Sequence, residues 1–375
     1  MYTLTEIFLF VVLILSIGYV AFLERWTASW RNVVERIGSK STTSDFGLSV
    51  IIPFRNEEAS IAHSVAAICA QVDSNFNIEF IFVDDNSEDN SFAIVQKLII
   101  GDKRFRILKS EKAGKKEALR FGIAQSSFDF VVTLDSDCVV RENWLSQIRR
   151  ELVFTQSDFL ILPVLVNRPK SFWGDVAYTE WLSLTAVTGG SAMSEGALMC
   201  NGANLAFRKK LYELYDVPNE HSVSSGDDMF LMIQAKKVGI VAYSANIETA
   251  AWTDLPAGFG SFISQRVRWA GKTKKMNDKS ILLFGSLLFF LQIMSLLLLI
   301  TMCFLGGNWL YFIGLIGLKL LFEYRLLAES SRVFNIRWSF TSLVVMSLLH
   351  PFYTIFVALL SLVYRPSWKG RKIKI

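Results

Sequence analysis

The chain of 375 residues is apolar and slightly basic, with 52% hydrophobic residues and a formal net charge of +5 at pH 7. A chain of this length has room for about two domains. Its four cysteines and three histidines are scattered without paired spacing, which excludes a disulfide framework and a zinc site. It has neither a nucleic-acid-binding motif nor a basic patch interleaved with aromatic residues, so we expect no nucleic-acid partner.

An uncharged segment at residues 7–23 predicts a transmembrane anchor near the amino end. Charged and aromatic residues follow it at 24–26, a border typical of the membrane interface. A cleaved signal peptide is the alternative, but the segment has no basic start and no small-residue cleavage site. We therefore predict an anchor over residues 1–25. An interfacial helix and a Ser/Thr-rich linker are expected in residues 26–44.

Three apolar segments near the carboxyl end predict further membrane spans. Residues 281–305 form an uncharged run long enough to cross a bilayer. Residues 340–363 are also long enough, although a His-Pro pair lies at their centre. The shorter segment 309–322 contains a lysine and is expected to be either a span or a re-entrant hairpin. Residues 281–375 therefore predict two or three spans followed by a basic tail.

Between these ends, short apolar runs alternate with segments of helical periodicity. The runs at 48–52, 79–83, 105–108 and 128–134 alternate with the predicted helices 57–71, 88–100 and 115–125. Such alternation predicts an α/β fold with a mostly parallel sheet and helices on both faces, Rossmann-like, over residues 45–250. We expect Pro53 to end the first strand.

The clearest chemical signal is an acid pair in the stretch FVVTLDSDC at residues 130–138. Asp135 and Asp137 lie two residues apart at the end of a strand, so they share a face. Ligands of open α/β sheets gather at the carboxyl ends of strands. Mg²⁺ and Mn²⁺ prefer one or two carboxylates together with phosphate oxygens. The pair therefore predicts a divalent cation that carries phosphates.

Five further polar motifs accompany this pair, and each has a simpler structural reading on its own. They are SVIIPFRNEEASI, FVDDNSEDN, GKKEAL, SGDDMFL and QRVRW. The first two follow strand ends, where helix N-caps are common. GKKEAL opens a helix, where anions bind, and SGDDMFL places two acids at a helix start. QRVRW precedes the long apolar run, as a basic membrane flank would.

Helical spacing separates the residues within QRVRW. Gln265, Arg268 and Trp269 lie one turn apart and share a face, so we expect Arg266 to project elsewhere and to matter less. The nearby aromatic residues Trp173, Tyr178 and Trp181 predict either an interfacial helix beside an acceptor or ordinary core packing.

In this order and spacing, the six motifs closely resemble the membrane-bound glycosyltransferases of family 2, whose nucleotide-sugar-binding fold is called GT-A. The resemblance covers residues 49–269 and extends to flanking spans similar to those of polysaccharide and glycolipid synthases. It implies a GT-A catalytic domain at 45–250 and an interfacial segment with QRVRW at 251–280. Two departures leave the donor open: Arg120 stands where many relatives have asparagine, and Asp227 where they have glutamate.

The resemblance also implies roles for residues at matching positions. The residues implied to bind the nucleotide sugar are Pro53, Arg55, Glu57, Asp84, Asp85, Lys115 and Asp135. Those implied to shape the acceptor site are Asn201, Gly202, Ala203 and Asp227. The resemblance makes Asp228 the catalytic base and Gln265, Arg268 and Trp269 the motif that closes over diphosphate and acceptor. It makes Asp137 the direct ligand of Mg²⁺ or Mn²⁺, with Asp135 closer to the ribose and sugar.

The resulting expectation is an inverting, metal-dependent transfer of a sugar from a nucleoside diphosphate, expected to be UDP, at the cytoplasmic face of a membrane. We expect a glycolipid acceptor, because the few predicted spans are too few to form an adequate channel for a growing polymer. The alternative is a processive polysaccharide synthase, which the Q-x-x-R-W motif favours. A catalytically inactive membrane scaffold is a further alternative, and the joint retention of Asp137, Asp228 and Arg268 argues against it.

This orientation conflicts with the charge of the tail. With a cytoplasmic catalytic domain, three complete C-terminal spans would put the basic tail outside, against the positive-inside rule. Either the segment 309–322 or the break at His350–Pro351 is then expected to be re-entrant, or the rule fails in this protein.

Overall fold

The computed structural model describes residues 4–34, 46–71, 77–194, 196–215, 227–273, 276–364, 367–368 and 371–372. Most of the predicted linker, the first residues of SGDDMFL and most of the basic tail lie outside these ranges. The chain divides into two compact units, which we call the sheet unit and the helical unit. The sheet unit comprises Gly38–Asn167, Met199–Asp254 and Ser367–Ile375. The helical unit comprises Met1–Ile37, Arg168–Leu198 and Leu255–Pro366.

Strands and helices alternate through the sheet unit, as the sequence predicts. The strands are β1 (Leu48–Phe54), β2 (Ile78–Asp84), β3 (Phe105–Lys109), β4 (Phe130–Leu134), β5 (Val139–Val140), β6 (Phe159–Ile161), β7 (Val164–Val166), β8 (Asn204–Arg208), β9 (Val241–Tyr243), β10 (Ala251–Thr253), β11 (Ser367–Trp368) and β12 (Arg371–Lys372). The helices of the chain are α1 (Leu4–Val34), α2 (Ile61–Cys69), α3 (Ser91–Ile99), α4 (Lys115–Ala124), α5 (Trp144–Thr155), α6 (Phe172–Met193), α7 (Lys209–Tyr215), α8 (Asp227–Val238), α9 (Phe259–Thr273), α10 (Lys279–Leu305), α11 (Trp309–Phe334) and α12 (Phe340–Val363). A short 3₁₀ helix covers Ile247–Thr249.

The main sheet has seven strands in the order β3-β2-β1-β4-β8-β6-β9. The pairs β1–β2, β1–β4, β2–β3 and β6–β9 are parallel, whereas β8 is antiparallel to both of its neighbours. The predicted mostly parallel α/β fold is therefore confirmed. A smaller sheet has the order β5-β10-β7.

The central strands are buried along their whole length. Every residue of β1, β2 and β4 is buried, which explains why these strands are largely apolar. Pro53 lies inside β1 rather than ending it, so that expectation is wrong. The ladder to β4 stops at Ile51, and beyond it β1 pairs with β2 alone. A proline without a backbone donor is tolerated where a strand has one neighbour.

Close packing of α4 on β1 places the start of that helix at the sheet. A Cβ added to Gly122 would lie 2.6 Å from Ile51 Cγ2 and 2.9 Å from Val83 Cγ2. Only glycine therefore fits this position without a shift of the Ile51 and Val83 side chains. The contact holds α4 against the sheet, with Lys115 and Lys116 in its first turn.

The helical unit contains the apolar segments. Among the described residues, three helical segments are long and apolar enough to cross a membrane: Glu6–Val33, Lys279–Leu305 and Phe340–Val363. The helix α1 runs unbroken to Val34, so the described part of the expected interfacial helix continues the anchor. Trp26 and Trp30 are buried, and Trp30 Nε1 donates to the Ala186 carbonyl oxygen of α6 at 2.8 Å.

Neither suspected break in the C-terminal region interrupts its helix. The segment 309–322 lies within the continuous helix α11, so the hairpin alternative is wrong. Its lysine, Lys319, is buried, and Lys319 Nζ lies 3.3 Å from Gln292 Oε1 of α10. Pro351 lies inside α12, which continues on both sides of it. The side of the membrane that each helix end faces stays a prediction.

Candidate active site

The loops after β1 and β2 are fastened to each other at the carboxyl ends of these strands. Arg55 is buried, and its Nη1 donates to the Asp85 carbonyl oxygen at 2.8 Å. Its Nη2 lies 2.7 Å from Glu88 Oε1. The Glu57 backbone N–H donates to Ser91 Oγ at 2.7 Å. The structure thus brings together residues of the first two motifs that are predicted to bind the nucleotide sugar. They lie on loops that are held by these hydrogen bonds.

The two acids of FVDDN fix backbone turns. Asp84 Oδ1 accepts the Ser87 N–H at 2.9 Å. Asp85 Oδ1 accepts the Gly114 N–H at 2.6 Å, directly before α4. Gly114 has a φ of 126°, a conformation that glycine adopts most easily. Asp85 therefore ties the end of β2 to GKKEAL, and the contact of either acid with a nucleoside stays a prediction.

The acid pair after β4 lies beside Lys115. Lys115 Nζ is 2.5 Å from Asp135 Oδ1. Asp137 keeps an exposed face, yet desolvation, followed by the charges of Asp135 and Glu57, raises the pKa of Asp137 to about 6. Desolvation lowers the pKa of Lys115, but Asp135, Asp137 and Asp228 raise it by more, so the net shift is upward. One lysine thus lies within electrostatic range of all three aspartates.

The loop before β8 joins the acid pair to the predicted base. The Asp135 N–H donates to the Ala203 carbonyl oxygen at 3.1 Å. The Gly202 N–H donates to Asp228 Oδ2 at 3.1 Å. Asn201 Oδ1 accepts the Ala203 N–H, also at 3.1 Å, which fixes the loop itself. The motif predicted to shape the acceptor site therefore holds Asp135 and Asp228 at adjoining points of one loop.

The residues present fit a divalent cation that shares its coordination with a ligand. Across the described part of the chain, no group of three or more histidine, cysteine, aspartate and glutamate side chains is arranged to hold a metal ion. Asp135 is paired with Lys115, whereas Asp137 is accessible, and its pKa is raised by desolvation and then by the neighbouring acids. A Mg²⁺ or Mn²⁺ ion held by one carboxylate and completed by phosphate oxygens and water suits this arrangement.

Lys116 is a residue of the site that the sequence reasoning missed. Its Nζ lies 2.9 Å from Asp227 Oδ1, and the two side chains are only 10% and 12% exposed. Asp227 therefore has a partner on α4, in addition to the acceptor role that the resemblance implies. The doubled lysine of GKKEAL was the available signal, because its two lysines contact two different aspartates.

We expect Lys116→Met to destabilise the sheet unit, because it leaves the Asp227 carboxylate nearly buried beside an apolar side chain. Breaking a buried ion pair costs about 3–5 kcal/mol, and slight exposure places this pair at the lower end. The melting temperature of the purified full-length protein measures the effect. Lys97→Met, at an exposed position of α3, is the matched control. Equal melting temperatures for both variants would contradict a stabilising pair.

The predicted diphosphate motif lies on α9 of the helical unit. Gln265, Arg268 and Trp269 share this helix, as expected. The expectation that Arg266 projects away from these residues is wrong, because it contacts both Gln265 and Trp269. The expectation that Arg266 matters less for activity stays a prediction. Arg266 is 4% exposed and forms an ion pair with Glu180 of α6. Helical spacing could not show that Arg266 and Trp269 both pack against α6.

The aromatic residues of α6 were expected to mark either an interfacial helix or ordinary core packing, and they differ in exposure. Tyr178 and Trp181 are buried in the helical unit, which fits ordinary core packing, whereas Trp173 is 66% exposed. Trp181 and Trp269 have ring centroids 5.9 Å apart. The predicted motif residue Trp269 thus packs on one of these core aromatics.

Comparison with known proteins supports the family that the motifs indicate. Residues 49–215 match the family model described as Glycosyl transferase family 2, so the chain carries a glycosyltransferase family 2 domain. The mannosyltransferase PcManGT from Pyrobaculum calidifontis, solved with GDP-Man and Mn²⁺, superposes with a TM-score of 0.57 at 15% identity. That match covers 94% of this chain and 99% of the other. The likeness shows a shared fold.

Two curated relatives are similar over shorter stretches. Glycosyltransferase GlyG of Streptococcus pneumoniae serotype 4 is 32% identical over 115 residues, which are 30% of this chain and 38% of the relative. Poly-beta-1,6-N-acetyl-D-glucosamine synthase of Staphylococcus aureus (strain COL) is 24% identical over 235 residues, 60% of this chain and 54% of the relative. The chain is thus related to polysaccharide synthases but spans roughly half or less of these relatives' lengths.

Proposed function

We propose that the protein transfers a sugar, with inversion, from a nucleoside diphosphate donor to a membrane-associated acceptor. The observation that carries this proposal is the pairing of Lys115 Nζ with Asp135 Oδ1 at 2.5 Å, two residues before Asp137. Asp228 is joined to the same place by backbone hydrogen bonds of Gly202 and Ala203. Transfer with inversion needs a stabilised leaving group on one side of the sugar carbon and a base on the other. The three acids supply residues for both needs.

The leaving diphosphate is proposed to lie at Asp137. A divalent cation held there would neutralise the charge that develops on the diphosphate as its bond to the sugar breaks. Lys115 neutralises Asp135 at 2.5 Å, which keeps a second carboxylate close without repelling the donor. Asp135 is then available to contact the ribose and sugar through its other oxygen.

Asp228 is proposed as the general base that takes the proton of the acceptor hydroxyl. The Gly202 N–H fixes its Oδ2, which leaves Oδ1 for the acceptor. A Cβ on Gly202 would lie 3.2 Å from Asp228 Cβ, so glycine permits this close approach. The backbone contact orients the carboxylate before the acceptor arrives, and such orientation is a main source of catalysis.

Arg268 is proposed to bind the diphosphate through two N–H groups, and Gln265 and Trp269 to contact diphosphate and acceptor. We expect Arg268→Lys to reduce nucleotide affinity and turnover although it conserves the charge, because an ammonium cannot make a planar two-point phosphate contact. Nucleotide affinity by titration calorimetry and turnover by diphosphate release measure the two effects. An Arg268→Lys variant with wild-type values for both would show that QRVRW is a basic membrane flank.

We propose a UDP-linked donor and a glycolipid product at the cytoplasmic face of the cytoplasmic membrane, as part of cell-envelope synthesis. The few candidate spans support a lipid acceptor, whereas the likeness to a poly-N-acetylglucosamine synthase supports the alternative of a polysaccharide. Membranes that contain the protein can be incubated with labelled nucleotide sugars and extracted with organic solvent. Label in the extract, with one added sugar by mass spectrometry, supports the glycolipid. Label in an unextractable polymer supports the alternative.

A further inference from the structure

The Arg266 guanidinium is held from several sides within the helical unit. Its Nε donates to Glu180 Oε1 at 3.0 Å and its Nη2 to Glu180 Oε2, so the contact is two-pronged. Tyr353 of α12 donates its hydroxyl to the same Glu180 Oε1 at 3.4 Å. The Arg266 and Glu180 side chains are only 4% and 14% exposed. Burial of this kind costs free energy unless the geometry is good, and a two-pronged contact meets that condition.

Three aromatic rings also lie close to Arg266. Its Cζ lies 4.4 Å from the ring centroid of Phe262, 4.5 Å from Trp269 and 5.8 Å from Trp181. A guanidinium within about 6 Å of a ring centroid is attracted to the ring face. The position of the Trp269 ring is therefore coupled to the position of Arg266.

Arg266 also contacts Gln265, the first residue of the motif. Its third nitrogen, Nη1, donates to Gln265 Oε1. Because the amide oxygen of Gln265 is engaged in this way, its NH₂ group is the end left to donate to another acceptor. The same turn of α9 is packed against α12 through the cluster of Ile263, Val267 and Val357, so the backbone under these side chains is fixed as well.

We propose that Arg266 is a positioning residue of the transfer reaction, which sets the orientation of the Gln265 amide and the Trp269 indole from the Glu180 carboxylate. The inference rests on the proposed function, since it assumes that Gln265 and Trp269 act on the substrates. Arginine is required because three contacts are made at once: the fork to Glu180, the donation to Gln265 and the stacking on Trp269. A lysine offers one point charge without the planar fork.

The first test is Arg266→Lys, which keeps the charge beside Glu180. We expect a melting temperature close to that of the wild type and a loss of kcat on the order of 10²-fold, the cost typical of a small misplacement of catalytic groups. Arg325→Lys is the matched control. Arg325 is paired with Glu24 in the same unit at 3.1 Å, and its side chain is 34% exposed. This control should retain wild-type kcat.

The second test is the double variant Glu180→Met/Arg266→Met, which separates positioning from stability. Replacing a buried ion pair with apolar side chains is often neutral or stabilising, whereas removing one partner is not. We expect Arg266→Met alone to lower the melting temperature and the double variant to regain it. The kcat of the double variant should nevertheless stay on the order of 10²-fold below the wild-type value, because Gln265 and Trp269 no longer contact the Arg266 guanidinium that orients them.

Recovery of wild-type kcat in the double variant together with its stability would overturn the inference, since Arg266 would then only hold α9 and α6 together. If the double variant does not regain stability, the Arg266→Lys variant alone tests the inference. A wild-type kcat in Arg266→Lys would then overturn it. Wild-type protein is assayed in parallel for diphosphate release. Absence of release with every donor would refute the proposed function, whereas release in the wild type and in all variants alike would refute the positioning role alone.

Discussion

The Asp228→Asn variant is expected to bind the nucleotide sugar as the wild type does and to turn over about 10²–10⁴-fold more slowly. Asparagine keeps the size of the side chain and the acceptor oxygen for the Gly202 N–H, which lies 3.1 Å from Asp228 Oδ2. It cannot accept the proton of an acceptor hydroxyl, because an amide is a far weaker base than a carboxylate. Donor affinity by titration calorimetry and diphosphate release under saturating donor measure the two quantities separately.

A matched control for this change is Asp254→Asn in the same unit. Asp254 is exposed, and its Oδ1 accepts from Asn167 Nδ2 at 2.9 Å, so its replacement should alter neither binding nor turnover. Wild-type turnover in Asp228→Asn would identify Asp228 as a helix cap, in keeping with its place at the start of α8, and the base would have to be another residue. A parallel loss of donor affinity would point to misfolding of the loop instead.

Asp137→Ala is expected to abolish detectable transfer while the protein stays folded and membrane-bound. Asp137 is accessible, and its pKa is raised to about 6 by desolvation and by the neighbouring acids Asp135 and Glu57. Removing one of three crowded carboxylates should not destabilise the fold. The loss of activity follows because the leaving diphosphate would have no bound cation to neutralise its charge.

Chelation provides an independent test of the same residue. EDTA should inhibit the wild type to the level of Asp137→Ala, and excess Mg²⁺ or Mn²⁺ should restore the wild type but not the variant. Asp129→Ala, at an exposed position just before β4, is the control and should keep its activity. Full wild-type activity in EDTA would remove the metal from the mechanism, even if Asp137→Ala were inactive.

Much of the sheet unit could be predicted from the sequence because its central strands are buried on both faces. Largely apolar runs mark β1, β2 and β4, and polar residues at or directly after their ends mark the carboxyl edge of a parallel sheet. The strand boundaries were harder to predict. Pro53 belongs to β1 because pairing with β4 has already ended, and only the sheet order shows where a strand has one neighbour.

The ion pairs between helices could not be predicted, because they join residues far apart in the sequence. The ion pair of Lys116 with Asp227 and that of Arg266 with Glu180 each link two different helices. Helical spacing tells which residues share a face, but it does not tell which helix that face meets. Arg266 was therefore wrongly expected to project away from Gln265 and Trp269, both of which it contacts.

Diphosphate release from purified protein in lipid vesicles, assayed with a panel of nucleotide sugars, tests the proposed transfer most directly. The wild type, Asp228→Asn and Asp254→Asn are compared in the same vesicles, with the labelled product identified by mass spectrometry. We expect the wild type and Asp254→Asn to release diphosphate from one donor and to label the membrane fraction, and Asp228→Asn to do neither at a comparable rate. No release from any donor by the wild type, or equal release by Asp228→Asn, would contradict the proposal.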